Sequence, residues 1–299
     1  MRTTLSRDRL ALDTVLAGIP ACQGDPWPVD ERTATDSSGW ELPEPRASTP
    51  PVGIEATELQ QIAEGRGITM RLVGSLAIAL RCPHERGLLT LLGRRPPRDI
   101  DLIAYSTEEK KIAGLLAERG YESHPSVSHS REWGVKRLIY THPAQGFKVD
   151  VFLDELVMAH TIGFAGRLEL EPYTVPLADL LLSKLQIYRI TENDLIDLVV
   201  LFAEHDLGPA PAGIDAARVA SVLGADWGFF HGASQNLDGL DDAIARFDVL
   251  PTATSERVRD RVARLRVALK EAPKTSRWRL RARIGTRAPW YEHVDDVEV

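Results

Sequence analysis

RPPRDIDLIAY, residues 95–105, places two aspartates one residue apart in a segment that otherwise has the composition of a β-strand. Aspartate is depleted in strands, so a pair of them on one strand calls for a physical reason. Strand side chains alternate between two faces, which puts Asp99 and Asp101 on one face and Ile100 and Leu102 on the other. The segment therefore predicts a strand over residues 99–104, with an apolar face for the core and an acidic face available for chemistry.

The composition is that of a folded protein of the reducing cell interior. The chain has 299 residues, 43% of them hydrophobic, and a net charge of −7, which argues against general coating of nucleic acid. Cys22 and Cys82 cannot build a disulfide framework or a zinc site. The N-terminal segment is too charged for a signal peptide, and no apolar run is long enough for a membrane span. We expect a soluble, cytoplasmic protein.

The chain is predicted to have three parts. Residues 1–52 read as a helix, residues 7–18, followed by a flexible linker rich in Pro, Ser, Thr, Asp and Glu. Residues 53–160 mix strand and helix patterns and are predicted to form the catalytic head. Residues 161–299 have mostly helical spacing and are predicted to form a helical C-terminal domain with a basic tail. The predicted fold class is α+β, with a mixed sheet flanked by helices and followed by helices.

A strand-to-helix turn precedes the acidic strand. The predicted strand Ile68–Val73 ends at Gly74 and Ser75, where helical spacing resumes. A glycine here would let a phosphate approach the backbone, and the exposed N–H groups of the helix start would bind it. An ordinary turn with a helix cap explains the same residues. After the acidic strand, Ser106 with Glu109 predicts a capping box and a helix.

A predicted hairpin, residues 135–141 and 147–153, supplies a third acid. Val149 and Val151 should face the core, which leaves Asp150 on the opposite face with the aspartate pair. Carboxylates this close repel each other unless a cation lies between them, and oxygen donors of this kind suit magnesium. We therefore expect the three acids to converge on a divalent cation, none of them engaged by an arginine. The alternative is a set of solvated acids at a strand edge.

The motifs VGSLAIAL, RDIDLIA and KVDVF, which begin at residues 73, 98 and 148, resemble those of the polymerase-β-like nucleotidyltransferase superfamily. The resemblance covers roughly residues 53–155. It implies a mixed sheet flanked by helices and Mg²⁺-dependent transfer of a nucleotide from a nucleoside triphosphate.

The same resemblance assigns roles to the motif residues. Asp99 and Asp101 would bind both metal ions. Asp150 would bind the catalytic ion and help to deprotonate the acceptor hydroxyl. Gly74 and Ser75 would contact the triphosphate.

The segment PLADLLLSKLQIYRITENDLIDLVVL, residues 176–201, is similar to the corresponding region of abortive-infection (AbiEii-like) nucleotidyltransferase toxins. This branch would imply an RNA acceptor and an antitoxin partner. Lys184 would contact a phosphate, and Asp194, with Asp197 nearby, would orient Lys184 or the substrate base. Two departures are the long connection from Ser75 to the acidic strand and an asparagine where arginine is common. The alternatives are a lysine snorkelling from an amphipathic helix and acids that favour a helix N-terminus.

A basic tail forms a separate signal. Residues 270–287 contain seven Lys or Arg residues and one Glu, with Trp278 among them. Such a stretch could follow a phosphate backbone and stack a base. The alternatives are a solvated helix and a strip that docks on the acidic surface of this chain, including its acidic C-terminal residues.

The sequence thus predicts a magnesium-dependent nucleotidyltransferase that acts on a hydroxyl acceptor, with RNA as one acceptor class. Two alternatives use the same fold. One is a non-catalytic module that binds a nucleotide or a partner, and the other is an enzyme that modifies a small molecule such as an antibiotic.

Overall fold

The structure is a computed structural model that describes residues 52–123 and 137–292. All described residues belong to one compact unit. The predicted helix at residues 7–18, the linker that follows it and the acidic C-terminal residues from 293 onward lie outside the described residues.

The described part contains ten helices and two sheets. In chain order the helices are α1 Val52–Gly65, α2 Gly74–Arg81, α3 Gly87–Leu91, α4 Glu109–Glu118, α5 Leu177–Leu185, α6 Glu192–Glu204, α7 Ala216–Ala225, α8 Trp227–Arg246, α9 Thr252–Glu271 and α10 Ser276–Ile284. The strands are β1 Met70–Val73, β2 Asp99–Ala104, β3 Glu122–Ser123, β4 Arg137–Thr141, β5 Lys148–Leu153, β6 Glu155–Val157 and β7 Thr161–Gly163. Short 3-10 turns precede α4 and follow α10.

The main sheet is mixed, as predicted. Its strand order is β1-β2-β5-β4-β3, and a separate two-stranded sheet pairs β6 with β7. Strand β1 runs antiparallel to β2, β2 runs parallel to β5, and β4 runs antiparallel to both β5 and β3. With helices around this sheet and helices after it, the predicted α+β class is confirmed.

Strand β2 lies between β1 and β5 and is not an edge strand, although Asp99 at its start is exposed. The strand spans the residues predicted from the alternation, and its apolar members Ile100 and Leu102 are fully buried. Val149 and Val151 of β5 are fully buried on the same face. Burial of this continuous apolar layer fixes the register of both strands, because a slip by one residue would expose it.

The predicted hairpin forms between β4 and β5. The His142 amide donates to the Phe147 carbonyl at 2.9 Å, which closes the loop between the strands. This closure pairs Ile139 with Asp150. Residues 135–136 of the predicted first strand lie outside the described residues.

Two predicted boundaries are wrong for local reasons. The capping box does not form, because the Ser106 amide donates to the Asp154 carboxylate at 3.0 Å and the chain enters α4 through a 3-10 turn. Strand β1 begins at Met70 rather than at Ile68. The Ile68 amide donates to the Ala63 carbonyl at 2.9 Å and so takes part in the termination of α1.

The helices from α5 onward pack on one another around buried apolar side chains, among them Phe202, Phe229, Leu237 and Leu265. This helical part also joins the sheet, because the Leu72 amide donates to the Tyr173 carbonyl at 2.7 Å. A boundary at residue 160 stays a prediction. In the described ranges, no helix combines the length and the apolar character needed to cross a bilayer.

Candidate active site

The register of three strands assembles the acidic face. Val73 pairs with Asp101, and Asp101 pairs with Asp150 on the other side. Asp99 pairs with Lys148. Because alternate residues share a face, Asp99, Asp101 and Asp150 all project from the face opposite the apolar layer. We call these three side chains the acidic cluster.

Gly74 brings the start of α2 directly against the acidic cluster. Its φ is +74°, and a Cβ at this position would lie 2.7 Å from Asp101 Oδ2. A larger residue would be strained and would displace the carboxylate, so glycine is required here. Ser75 follows on the first turn of α2, and its hydroxyl makes no hydrogen bond within the described part of the chain. The predicted phosphate turn and the aspartate pair therefore adjoin one another.

The cluster disfavours full ionisation. Burial, together with the neighbouring charges of Asp150 and Asp99, raises the pKa of Asp101 to about 7. Burial also raises the pKa of Asp99, against the opposing influence of Lys148. Neither Asp99 nor Asp101 forms a hydrogen bond or ion pair with any described residue. Mutual repulsion of this kind is relieved by a proton or by a bound cation.

Asp150 departs from the prediction, because an arginine engages it. Arg137 Nη2 lies 2.5 Å from Asp150 Oδ2, and Lys148 Nζ lies 3.4 Å from the same oxygen. The Asp150 side chain is buried, so it needs a counter-charge in the absence of another cation. Its second oxygen, Oδ1, is also buried and has no partner among the described residues.

The donor set fits a magnesium ion in chemistry, although not in its present side-chain arrangement. Three carboxylates share one face, and the unpartnered Asp150 Oδ1 is a buried oxygen donor of the hard type that magnesium prefers. In the described ranges, however, no three His, Cys, Asp or Glu side chains are placed so that they could hold a metal ion. One Asp150 oxygen is instead held by Arg137.

Lys184 is part of a buried ion-pair network rather than a snorkelling side chain. Its Nζ lies 2.8 Å from Asp194 Oδ1 and 2.8 Å from Asp197 Oδ2. Burial alone would lower the pKa of Lys184, but Asp197 and Asp194 more than offset this and raise it. Lys184 also lowers the pKa of Asp101, so its charge reaches the acidic cluster.

Asp194 combines two of the roles considered. It contacts Lys184, and with Thr191 it forms the capping box that begins α6. Asp197 contacts Arg94 in addition to Lys184, and Arg94 Nε and Nη2 lie 2.8 Å and 3.0 Å from its two oxygens. The network thereby ties α5 and α6 to the segment that leads into β2. Whether Lys184 and Asp194 also bind a nucleotide stays a prediction.

Arg137, Lys148 and Arg94 were missed by the sequence reasoning. The first two could have been found from the hairpin, because a loop centred on residues 144 and 145 pairs residue 139 with residue 150. Arg137 and Lys148 then fall on the same face as Asp150. Arg94 gave no comparable signal, since its partner is 103 residues away in sequence.

Helix α10, within the predicted basic tail, has no buried residue. Arg277, Arg279 and Arg283 are exposed and form no ion pair within the described part. Leu280 and Ile284 are also exposed, at 63% and 44%. These five side chains make an outward surface that is basic and partly apolar.

Trp278 does not present its ring to solvent as a free stacking surface. It is half-buried and packs edge-on against Phe230, with ring centres 5.4 Å apart. Arg281 is engaged within the chain, because its guanidinium donates to the Ala288 and Pro289 carbonyls. The arginines of the outward surface therefore remain as the groups available to a polyanion.

Solved structures that resemble this chain include an antibiotic adenylyltransferase and an antibiotic-resistance factor. One is a lincosamide antibiotic adenylyltransferase, LnuA, with lincomycin bound, at 18% identity and a TM-score of 0.35, over 50% of this chain and 96% of that chain. The other is the antibiotic-resistance factor ANT(2'')-Ia, at 12% identity and a TM-score of 0.32, over 79% and 97%. No protein-family model and no curated protein matches the sequence. Because both TM-scores are low, the superfamily resemblance and its toxin branch stay predictions.

Proposed function

We propose that this protein is a magnesium-dependent nucleotidyltransferase that transfers a nucleoside monophosphate from a nucleoside triphosphate to a hydroxyl acceptor. The observation that carries the proposal is the register that sets Asp101 between Gly74 and Asp150. It joins a phosphate-binding type of turn to a rigid set of carboxylates, which is the combination that positions and neutralises a triphosphate.

Each member of the acidic cluster has a role in this proposal. Asp99, Asp101 and Asp150 would hold Mg²⁺. When bound, the ion would neutralise the triphosphate charge and polarise the reacting phosphoryl group. The Asp150 carboxylate would also help to accept the proton of the acceptor hydroxyl.

The remaining groups bind and orient the triphosphate. Gly74 lets a phosphate approach the backbone, and the first N–H groups of α2 with the Ser75 hydroxyl donate to it. The acceptor oxygen forms a bond to the α-phosphorus as the bond to the bridging oxygen breaks, and pyrophosphate leaves. The positive charges of Arg137 and Lys184 near the cluster would offset the charge of the phosphates.

Incubation with each α-labelled nucleoside triphosphate, Mg²⁺ and separate fractions of cellular RNA, protein and small molecules tests the proposal. We expect label in one macromolecular or small-molecule fraction, with equimolar release of pyrophosphate. Label in the small-molecule fraction alone would assign an antibiotic-like acceptor. Magnesium-dependent triphosphate binding without pyrophosphate release would instead indicate the non-catalytic module.

RNA is the acceptor class that the outward surface of α10 favours. The 20 residues from 272 to 291 contain Lys274 and five arginines but no acid, in a chain with a net charge of −7. A cationic strip with no acidic partner in the described part suits a phosphate backbone. The cytoplasmic location, the antitoxin partner and the toxin role stay predictions.

Replacing Arg277, Arg279 and Arg283 together by Gln is expected to weaken binding of single-stranded RNA about tenfold or more, and to reduce the salt slope of log K by about 2, because phosphate contacts release counterions. Fluorescence anisotropy across a salt series measures both. A control in which Lys110, Arg246 and Arg259 are changed to Gln removes the same charge from other exposed positions. Equal losses in the two triple variants would rule out a specific α10 surface.

A further inference from the structure

We propose that Arg137 is an internal counter-cation of the acidic cluster: in the substrate-free protein its guanidinium occupies Asp150, and it must leave that carboxylate before a divalent cation binds. The proposal rests on the nucleotidyltransferase function proposed above. It adds a positioning residue that sets metal affinity and couples it to the triphosphate.

The contact is close but incomplete, which suits a group that is released. Arg137 Nη2 lies 2.5 Å from Asp150 Oδ2, and its guanidinium lies over the Phe152 ring at 5.1 Å. The buried Arg137 Nε has no partner among the described residues, and neither has Asp150 Oδ1. A two-point pairing of these groups would be the stronger arrangement, and it is not formed.

The charge of Arg137 reaches the whole cluster. Arg137 lies on the face of the sheet that carries the three acids, because Ile139, two residues further along β4, pairs with Asp150. It therefore opposes the repulsion among the three acids, which is what a bound divalent cation would do. Because Arg137 and the cation compete for Asp150 Oδ2, a conformation with the contact intact leaves only Oδ1 to the cation, and the positive charge of Arg137 beside it opposes binding.

The triphosphate supplies the new partner for the released side chain. A guanidinium matches phosphate oxygens well, and it gains a double hydrogen bond there that it lacks at Asp150. Binding of the triphosphate would then free the Asp150 carboxylate, so the metal and the triphosphate would each tighten the binding of the other.

The test is titration of the full-length protein with Mn²⁺, followed by the electron paramagnetic resonance signal of the free ion. Arg137→Gln is expected to bind Mn²⁺ about tenfold more tightly than the wild type. In this variant no arginine competes with the ion for the Asp150 carboxylate. Arg98→Gln is the matched control. It removes an exposed charge that acts on Asp99 but does not contact Asp150. We expect its Mn²⁺ affinity to stay within about threefold of the wild-type value.

A non-hydrolysable triphosphate extends the test. In the wild type it should tighten Mn²⁺ binding, and in Arg137→Gln this gain should be much smaller, because the contact it relieves is already gone. If Arg137→Gln does not fold, Arg137→Lys takes its place. Lysine is shorter and cannot lie over Phe152 in the same way, so its Mn²⁺ affinity should exceed that of the wild type.

The outcomes separate this inference from the proposed function. Unchanged Mn²⁺ affinity in the Arg137 variant, or an equal gain in Arg98→Gln, would overturn the role of Arg137 while nucleotidyl transfer could stand. If neither the wild type nor the Arg137 variant binds Mn²⁺, with or without triphosphate, the magnesium-dependent function fails and this inference fails with it.

Discussion

Asp101→Asn is expected to lower nucleotidyl transfer by about 1,000-fold or more, because it removes the carboxylate at the centre of the proposed metal site. The same change should not unfold the protein. Asn is nearly isosteric with Asp, and Asp101 forms no hydrogen bond or ion pair with a described residue that the change would break. A loss of activity with a retained fold is the mark of a functional carboxylate.

When both proteins are free of metal, Asp101→Asn should also be more stable than the wild type at alkaline pH. In the fold, burial and the neighbouring acids raise the pKa of Asp101 to about 7, whereas in the unfolded chain it is ordinary. The folded state therefore holds this proton more tightly, and wild-type stability falls as pH rises from about 4 to about 7. Asn does not titrate, so the advantage of the variant should be about 2 kcal/mol greater at pH 8 than at pH 5.

Chemical unfolding in EDTA at pH 5 and pH 8, with a transfer assay at pH 8, measures both effects. Asp154→Asn, on an acid outside the cluster, is the comparison for the loss of one carboxylate. Retained transfer activity in Asp101→Asn would defeat the proposed function. If the stability advantage of Asp101→Asn over the wild type were smaller at pH 8 than at pH 5, Asp101 would not be destabilised by its neighbours.

Lys184→Met is expected to destabilise the protein by about 3 kcal/mol, because it leaves Asp194 without a cation and buried Asp197 with one cation instead of two. The Asp197 side chain is 1% exposed, and among the described residues it keeps Arg94 as its partner, while Asp194 keeps Thr191. For a chain of this size the loss corresponds to a fall in melting temperature of about 8 °C.

Thermal unfolding without nucleotide isolates this structural effect from any role in binding. Lys111→Met is the matched control, because Lys111 forms an exposed ion pair with Glu108 at 3.4 Å. We expect this change to alter the free energy of unfolding by about 0.5 kcal/mol or less. If Lys184→Met has the melting temperature of the wild type and only its KM for the triphosphate rises, Lys184 acts in substrate binding. The buried ion-pair network would then not contribute to stability.

Much of the sheet could be predicted from neighbouring residues. Strand β2 was predicted correctly from Asp99 to Ala104, and Asp150 was placed on the acidic face, because alternation along a strand depends only on local geometry. The start of β1 and the entry to α4 were predicted wrongly. In both places a backbone amide finds its acceptor outside the local pattern, at Ala63 and at Asp154.

The sequence by itself determined the acidic strand, the apolar layer behind it and the adjoining glycine turn, since these follow from period and residue type. Only the tertiary structure decided the charge partners: Arg137 for Asp150, and Asp194 with Asp197 for Lys184. The reason is physical. Hydrophobic alternation depends on neighbouring residues in the sequence, whereas the partner of a buried charge is the opposite charge that tertiary packing places nearby.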